Sequence, residues 1–178
     1  MQTETKDKYF ELAMWPHVRA AYNFARWLVR HEQDAEDIVQ ESFLKAYGAL
    51  DSFRGGDARV WMLAIVRNTA MNFLRKRKSD GVSAEPTGSE PRDAAPDPER
   101  GLVEQSQREE VRQAIARLAP EFREAIVLRE IEELSYKEIA ATLNIPMGTV
   151  MSRLSRARNL LMAELNPPSA RAAAEVSK

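Results

Sequence analysis

Residues 135–158 read SYKEIAATLNIPMGTVMSRLSRAR, a pattern of two helices joined by a tight turn. Ser135 and Glu138 have capping-box spacing, which predicts that the first helix begins here. Asn144 tolerates the left-handed conformation that ends a helix, and Pro146 suits the first position of the next one. The segment therefore predicts a helix-turn-helix, whose second helix can enter a DNA major groove.

The second helix of this pair has a packing side and a polar side. At 100° per residue, its apolar side is formed by Val150, Leu154, Ala157 and Leu161. The neighbouring side carries hydroxyl groups and arginines, which can contact phosphates and guanine edges. The predicted DNA contacts are Thr149, Ser152, Arg153 and Arg156, with Arg158 as a further phosphate contact or a solvated residue. An ordinary helical hairpin with a basic face has the same local pattern, so the rest of the chain must decide.

The composition excludes several classes of protein. The chain has 178 residues, of which 44% are hydrophobic and 30% charged, as in one soluble domain or two small ones. It has no cysteine for a disulfide, a thiolate nucleophile or a Cys-based zinc site, and its two histidines have no partner at metal-ligand spacing. No apolar run reaches the length of a membrane span, and residues 1–8 are too polar for a signal peptide. We therefore expect a cytoplasmic protein that is not an enzyme and uses no cofactor or metal.

Charge is unevenly distributed, although the net charge is only −1. Residues 67–78 contain five basic residues and no acid, whereas residues 79–110 contain nine acids and three arginines. Segment 79–100 also has four prolines and two glycines, so it cannot bury enough apolar surface to order itself. This predicts domains at 1–79 and 109–166, a flexible acidic linker at 80–108 and a short tail at 167–178.

Helical periodicity on both sides of the linker predicts an all-α fold of two small helical domains. The expected helices cover 9–30, 34–50, 60–78, 104–118 and 121–131, followed by the helix-turn-helix. No stretch has the alternating pattern of a strand.

The helix predicted from Asp34 has a buried stripe and an unusual opposite side. Asp34 and Asp37 suit its N-terminus, as cap and against the positive end of the helix dipole. The buried stripe is predicted to comprise Ile38, Val39, Phe43, Ala46 and Leu50. The opposite side carries Asp37, Gln40, Glu41 and Leu44. A leucine within an acidic, amide-bearing face indicates a protein-binding patch, although a solvated face with one leucine has the same pattern.

Loop 51–57 and the helix after it carry side chains suited to single-stranded nucleic acid. Aromatic and guanidinium planes stack on bases, amides read base edges, and basic residues follow phosphates. The candidate contacts are Phe53, Arg54, Trp61, Arg67, Asn68, Asn72 and Arg75. Trp61 suits a core anchor equally well.

These pieces, in this order, resemble the extracytoplasmic-function (ECF, group IV) sigma factors of bacterial RNA polymerase, a branch of the sigma-70 family. The matching stretches are DAEDIVQESF at 34–43, FRG at 53–55, the stretch 61–70, LAPEFRE at 118–124, and LSYKEIA at 134–140 followed by GTV at 148–150. Together they place the resemblance over about residues 9–165.

The resemblance implies a partner for each part of the chain. The face with Asp37, Gln40, Glu41 and Leu44 would dock on the beta-prime clamp helices of core RNA polymerase, which would also contact the chain through its beta subunit. The Phe53 loop and the helix after it would capture the −10 strand of promoter DNA with one base flipped out. The helix-turn-helix would read the −35 element as duplex. The resemblance also implies an anti-sigma factor and a role in stress responses.

Two departures from the family pattern affect these expectations. The loop between Gly55 and Trp61 is one residue shorter than the commoner pattern, so the flipped base is left unassigned. Met151 occupies a position where many members carry a basic residue. We therefore assign −35 reading to Arg153 and Arg156 and expect a different sequence preference.

A conventional operator-binding regulator is the alternative, with the first domain serving for dimerisation or sensing. A helical scaffold protein is a more distant possibility, and an enzyme is least favoured because no catalytic constellation is found. The motifs of the first domain favour a sigma factor.

Overall fold

The computed structural model describes residues 2–29, 31–79 and 102–166, with side chains from residue 4 in the first range and from residue 106 in the third. The N-terminal half contains helices α1 Gln2–Met14, α2 Val18–Leu28, α3 Glu32–Gly48 and α4 Ala58–Ser79. The C-terminal half contains α5 Leu102–Arg117, α6 Pro120–Glu130, α7 Tyr136–Leu143 and α8 Met147–Leu165. Short 3-10 turns lie at Trp15–His17 and Leu50–Ser52. No strand occurs in these three ranges, which confirms the predicted all-α fold.

The single helix predicted over residues 9–30 was wrong, because two helices occupy this stretch. Pro16 lies in the 3-10 turn between α1 and α2. A proline has no backbone N–H and restricts the residue before it, so a continuous helix is interrupted here. Trp15 consequently lies at a corner of the fold, where it is 66% exposed.

The predicted cap of the third helix was also wrong. α3 begins at Glu32, and its N-cap is His31. The Asp34 carboxylate instead forms an ion pair with Arg77 near the end of α4. The Asp34 side chain, which was predicted to cap the helix, instead pairs with a charged residue that is distant in sequence.

The predicted linker is shorter in the structure. α5 begins at Leu102, within the segment assigned to the linker. Residues 80–101 of the linker and the tail at 167–178 lie outside the described residues.

The hydrophobic core uses the predicted faces of α3 and α8. In α3, Ile38, Ala46 and Leu50 just beyond it are buried, while Val39 and Phe43 are partly buried against the same core. In α8, the buried side is formed by Val150, Leu154 and Ala157, all 0% exposed. This side packs on α6 and α7, which leaves the polar side of α8 outward.

The predicted capping residues define where the helices of the helix-turn-helix begin and end. The Ser135 hydroxyl accepts the Glu138 backbone N–H at 3.3 Å, and the Glu138 carboxylate accepts the Ser135 N–H at 2.7 Å. Asn144 adopts the left-handed conformation, with φ 52° and ψ 51°. Pro146 is the N-cap of α8, one position before the predicted one.

Replacing the Ser135 cap gives a testable loss of stability. We expect Ser135→Ala to lower the free energy of unfolding by about 1 kcal/mol at neutral pH in a urea titration. The hydrogen bonds from Ser135 hold the pKa of Glu138 below its usual value of 4.5. A carboxyl group with a lowered pKa stabilises the fold at pH values above its pKa in the unfolded state. This stabilisation is lost as the pH falls through its pKa in the folded state.

The difference in unfolding free energy between wild type and Ser135→Ala should therefore become smaller as the pH is lowered through the pKa of Glu138. Ser155→Ala, an exposed change in α8, serves as the control and should cost nothing measurable. An equal loss for both variants would contradict the capping assignment.

The two halves of the chain are in contact. α2 packs on α6, and α4 packs on α7. The Arg123 guanidinium also donates to the backbone carbonyl of Trp27 at 3.3 Å. The described helices are therefore held in one arrangement rather than as two separate bodies.

Candidate nucleic-acid and protein interfaces

The polar side of α8 carries the side chains predicted to contact duplex DNA. Ser152 and Arg156 are exposed, whereas Thr149 and Arg153 are partly buried. Arg158 is not a free cation, because it forms an ion pair with Glu130 of α6 at 2.8 Å. It would have to exchange this partner to contact a phosphate.

The loop before α4 is shaped by two glycines and an aromatic pair. Gly55 and Gly56 have φ of +84° and +104°, values that residues with a Cβ rarely adopt. The rings of Phe53 and Trp61 lie 5.0 Å apart, and both pack against the core while remaining partly accessible. Trp61 therefore anchors Phe53, whereas Arg54 at the loop tip is exposed.

The structure separates the polar residues predicted on α4 into two groups. Asn68, Asn72 and Arg75 are exposed at spacings of four and three residues, which places them on one side of the helix. The Arg75 guanidinium donates to the carboxamide oxygen of Asn72. Arg67 instead faces the C-terminal half, where its Nε lies 3.0 Å from a carboxylate oxygen of Glu124.

The predicted protein-binding side of α3 is solvent-exposed. Asp37, Gln40 and Glu41 are all exposed, and Leu44 among them is 75% exposed. Glu41 forms an ion pair with Lys45 at 2.6 Å. An exposed leucine within an acidic rim is therefore available to a partner.

Models of two protein families match this chain in order. The one described as Sigma-70 region 2 matches residues 16–79, and the one described as Sigma-70, region 4 matches residues 108–161. The chain is 42% identical over 143 residues to the ECF RNA polymerase sigma-E factor of Salmonella typhimurium, an alignment that covers 75% of each protein. The chain belongs to the ECF sigma factors of the sigma-70 family.

Other comparisons agree with this assignment. The corresponding sigma-E factor of Escherichia coli K12 is 41% identical over 143 residues, again covering 75% of each protein. The sigma factor RpoE of Bartonella quintana, solved in complex with the anti-sigma factor NepR, is 31% identical and superimposes with a TM-score of 0.73. That superposition covers 90% of this chain and 99% of RpoE. The chain is thus a promoter-recognising transcription initiation factor, as predicted, rather than a conventional operator-binding regulator.

Three residues of this sigma factor were missed by sequence reasoning. Trp15 packs on α3, with the centre of its ring 6.2 Å from that of Phe43. Pro16 was the available signal, because it predicts the break that exposes Trp15. Glu124 and Glu132 are buried at the contact between the halves, and no local pattern indicates this burial because their partners are 57 and 73 positions away.

Burial dominates the electrostatics of both carboxyl groups in this sigma factor. It raises the pKa of Glu124, an effect opposed first by Arg67 and then by Arg153. It also raises the pKa of Glu132, opposed by the hydrogen bond and charge of Arg59. The arginines thus favour the charged form of both carboxyl groups, against the effect of burial.

Within residues 2–29, 31–79 and 102–166 of this sigma factor, no cluster of three or more His, Asp or Glu could hold a metal ion. None of the helices described there is long and apolar enough to cross a membrane.

Proposed function

We propose that the N-terminal half binds core RNA polymerase and the −10 element and that the C-terminal half binds the −35 element. This assigns region 2 to residues 1–79, a linker to the segment before α5, region 4 to 109–166 and a tail to 167–178. This proposal is supported by the chemistry of the exposed sides of three helices. The side on α3 is acidic with an apolar centre, the side on α4 is amide-bearing and basic, and the side on α8 carries hydroxyl groups and arginines.

Core polymerase docks on Asp37, Gln40, Glu41 and Leu44 in this proposal. A small apolar centre within a charged rim is a common form of protein interface, because the centre supplies affinity and the rim supplies orientation and association rate. The partner is the pair of beta-prime clamp helices, with the beta subunit contacting the chain as well.

The −10 strand is captured by Phe53, Arg54, Trp61, Arg67, Asn68, Asn72 and Arg75. Extruding a base costs a few kcal/mol, which stacking and edge contacts must repay. Trp61 holds Phe53 in place as a stacking surface, and the exposed Asn68 and Asn72 offer amides to base edges. Arg75 follows the phosphates.

The −35 duplex is read by Thr149, Ser152, Arg153 and Arg156, with Arg158 on a phosphate. Thr149 lies in the first turn of α8, where its hydroxyl group and the backbone N–H groups of the helix start together favour a phosphate, and Ser152 lies one turn further along. Arg156 is exposed one turn further along, which suits a fork onto a guanine edge.

The division of labour can be tested with two single variants and one promoter library randomised at both elements. We expect Arg156→Ala, in holoenzyme, to relax specificity at one −35 position, at a cost of about 1 to 3 kcal/mol. We expect Asn72→Ala to change the −10 preference and leave the −35 preference intact. Each variant is the control for the other.

Arg158→Ala completes this experiment as a phosphate-contact control. It should weaken transcription uniformly across −35 sequences, because a phosphate contact carries no sequence information. An unchanged −35 preference in Arg156→Ala, or a −35 change in Asn72→Ala, would contradict the assignment.

The chain is further proposed to act in the cytoplasm as a non-enzymatic factor controlled by an anti-sigma protein. The support for this control is the relative from Bartonella quintana, whose structure is a complex with an anti-sigma factor. A role in stress responses follows from the same proposal.

A further inference from the structure

Two methionines are exposed in the first turns of α8. Met147 is 49% exposed and Met151 is 48% exposed, although the neighbouring Val150 and Leu154 are 0% exposed. The two methionines are four residues apart on a helix, which places their side chains next to each other. An accessible apolar strip therefore follows one edge of α8.

This strip is continuous with the side of α8 that is proposed to read the −35 element. Met151 is adjacent to Ser152, precedes Ser155 by about one turn, and is followed along the helix by Arg156; these three residues are exposed. Segment 147–163 contains no acidic residue, so this part of the helix carries no charge that would repel DNA phosphates. The apolar strip would therefore enter the DNA groove together with the polar side chains.

The place of Met151 in the helix favours a contact with a base over a contact with a phosphate. In helix-turn-helix proteins, the N-terminal residues of the second helix contact base edges. Met151 lies in the second turn of α8, which begins at Met147. A thioether has no charge and no hydrogen-bond donor, so it cannot bind a phosphate as an arginine does. Met151 should therefore contact the floor of the groove.

The chemistry of the major groove identifies the group that a methionine would contact. The base edges present hydrogen-bond donors and acceptors, and the apolar group among them is the C5-methyl of thymine. A methionine placed against a polar edge would leave a donor or an acceptor without a partner, which is unfavourable. The unbranched methionine side chain can also adjust its shape to reach a methyl group.

We propose that Met151 selects a thymine in the −35 element through an apolar contact with the C5-methyl group, with Met147 beside it. This inference rests on the proposed function, because it requires α8 to lie in the major groove of the −35 duplex. The exposed Ser152 and Ser155 lie between Met151 and Arg156 around the helix, so Met151 and Arg156 contact different base pairs. Met151 is thus a second residue that determines specificity.

Replacing thymine with deoxyuridine tests the contact directly, because it removes the C5-methyl and keeps every hydrogen-bonding group of the base. Holoenzyme is bound to a promoter selected from the library, with each −35 thymine of either strand replaced in turn, and fluorescence anisotropy measures the affinity. We expect one replacement to weaken wild-type binding by about fourfold, as for the loss of one buried methyl-sized group. The same replacement should have no effect on Met151→Ala, whereas Met151→Leu, which keeps an apolar side chain, should retain the loss.

Met162→Ala is the matched control, because Met162 is 61% exposed on the same helix but lies about 16 Å further along its axis. It should respond to deoxyuridine as wild type does. The dependence of affinity on salt concentration should be the same in Met151→Ala and wild type, since no phosphate contact is lost. Urea unfolding checks that Met151→Ala keeps its stability, as expected for an exposed position.

Three results would overturn the thymine contact. These are no loss at any thymine in wild type, an equal loss in wild type and Met151→Ala, and a changed salt dependence in Met151→Ala. The −35 preference of Arg156→Ala separates this inference from the proposed function. If Arg156→Ala relaxes that preference while the methyl group has no effect, the thymine contact is wrong and the proposed function stands. If neither change affects −35 recognition, both are wrong.

Discussion

Leu154→Ala is expected to lower the free energy of unfolding by about 2 to 5 kcal/mol and to abolish use of the −35 element. Leu154 is 0% exposed and lies in the centre of the side of α8 that packs on α6 and α7. Truncating a buried leucine removes its transfer free energy and leaves a cavity that its neighbours fill only in part. Because the polar side of the same helix is held outward by this packing, DNA reading should be lost with it.

Urea unfolding and transcription from promoters that require the −35 element measure the two effects. Leu160→Ala is the matched control, because Leu160 lies on the same helix but is 48% exposed. It should change stability by no more than about 0.5 kcal/mol. An equally small loss of unfolding free energy in both variants would contradict the packing of Leu154 in the core.

Reversing two charges on α3, with Asp37→Lys and Glu41→Lys together, is expected to weaken binding to core polymerase by at least about tenfold, or about 1.4 kcal/mol. Both residues are exposed, so the fold should be retained. Like charges brought together at an interface are unfavourable and also slow the encounter of the partners. Fluorescence anisotropy with labelled core polymerase measures the affinity.

A charge-matched control separates this local effect from a change in net charge. Glu11→Lys with Glu110→Lys makes the same total change at exposed positions on α1 and α5. This control should bind core polymerase within about twofold of wild type, since surface changes away from an interface have small effects. Equal weakening by both pairs would place the docking surface elsewhere.

The sequence was most informative where structure is decided by near neighbours. The Ser135–Glu138 capping box and the left-handed Asn144 are local devices, and both occur where they were predicted. The packing side of α8 also follows from its periodicity, because a helix repeats every 3.6 residues whatever it packs against. Pro16 was a local signal as well, because a proline interrupts the helical pattern on either side of it.

Ion pairs between residues that are distant in sequence explain what the sequence analysis predicted wrongly or did not predict. Asp34 suited a helix cap by its type and position, yet Arg77, 43 positions away, took its carboxylate. The assignment of Arg67 to the −10 element stays a prediction, but its pairing with Glu124 of the other half was not foreseen. Periodicity shows which side of a helix is polar, but it does not show which charge from another helix will meet that side.

The most direct test of the central claim is a reconstitution with the purified protein, bacterial core polymerase and a promoter library, followed by sequencing of the transcripts. The account predicts specific initiation only when the protein is present, from promoters that share a −35 and a −10 element at a fixed spacing. A shifted DNA duplex with the protein alone, and no transcription or core binding, would contradict it.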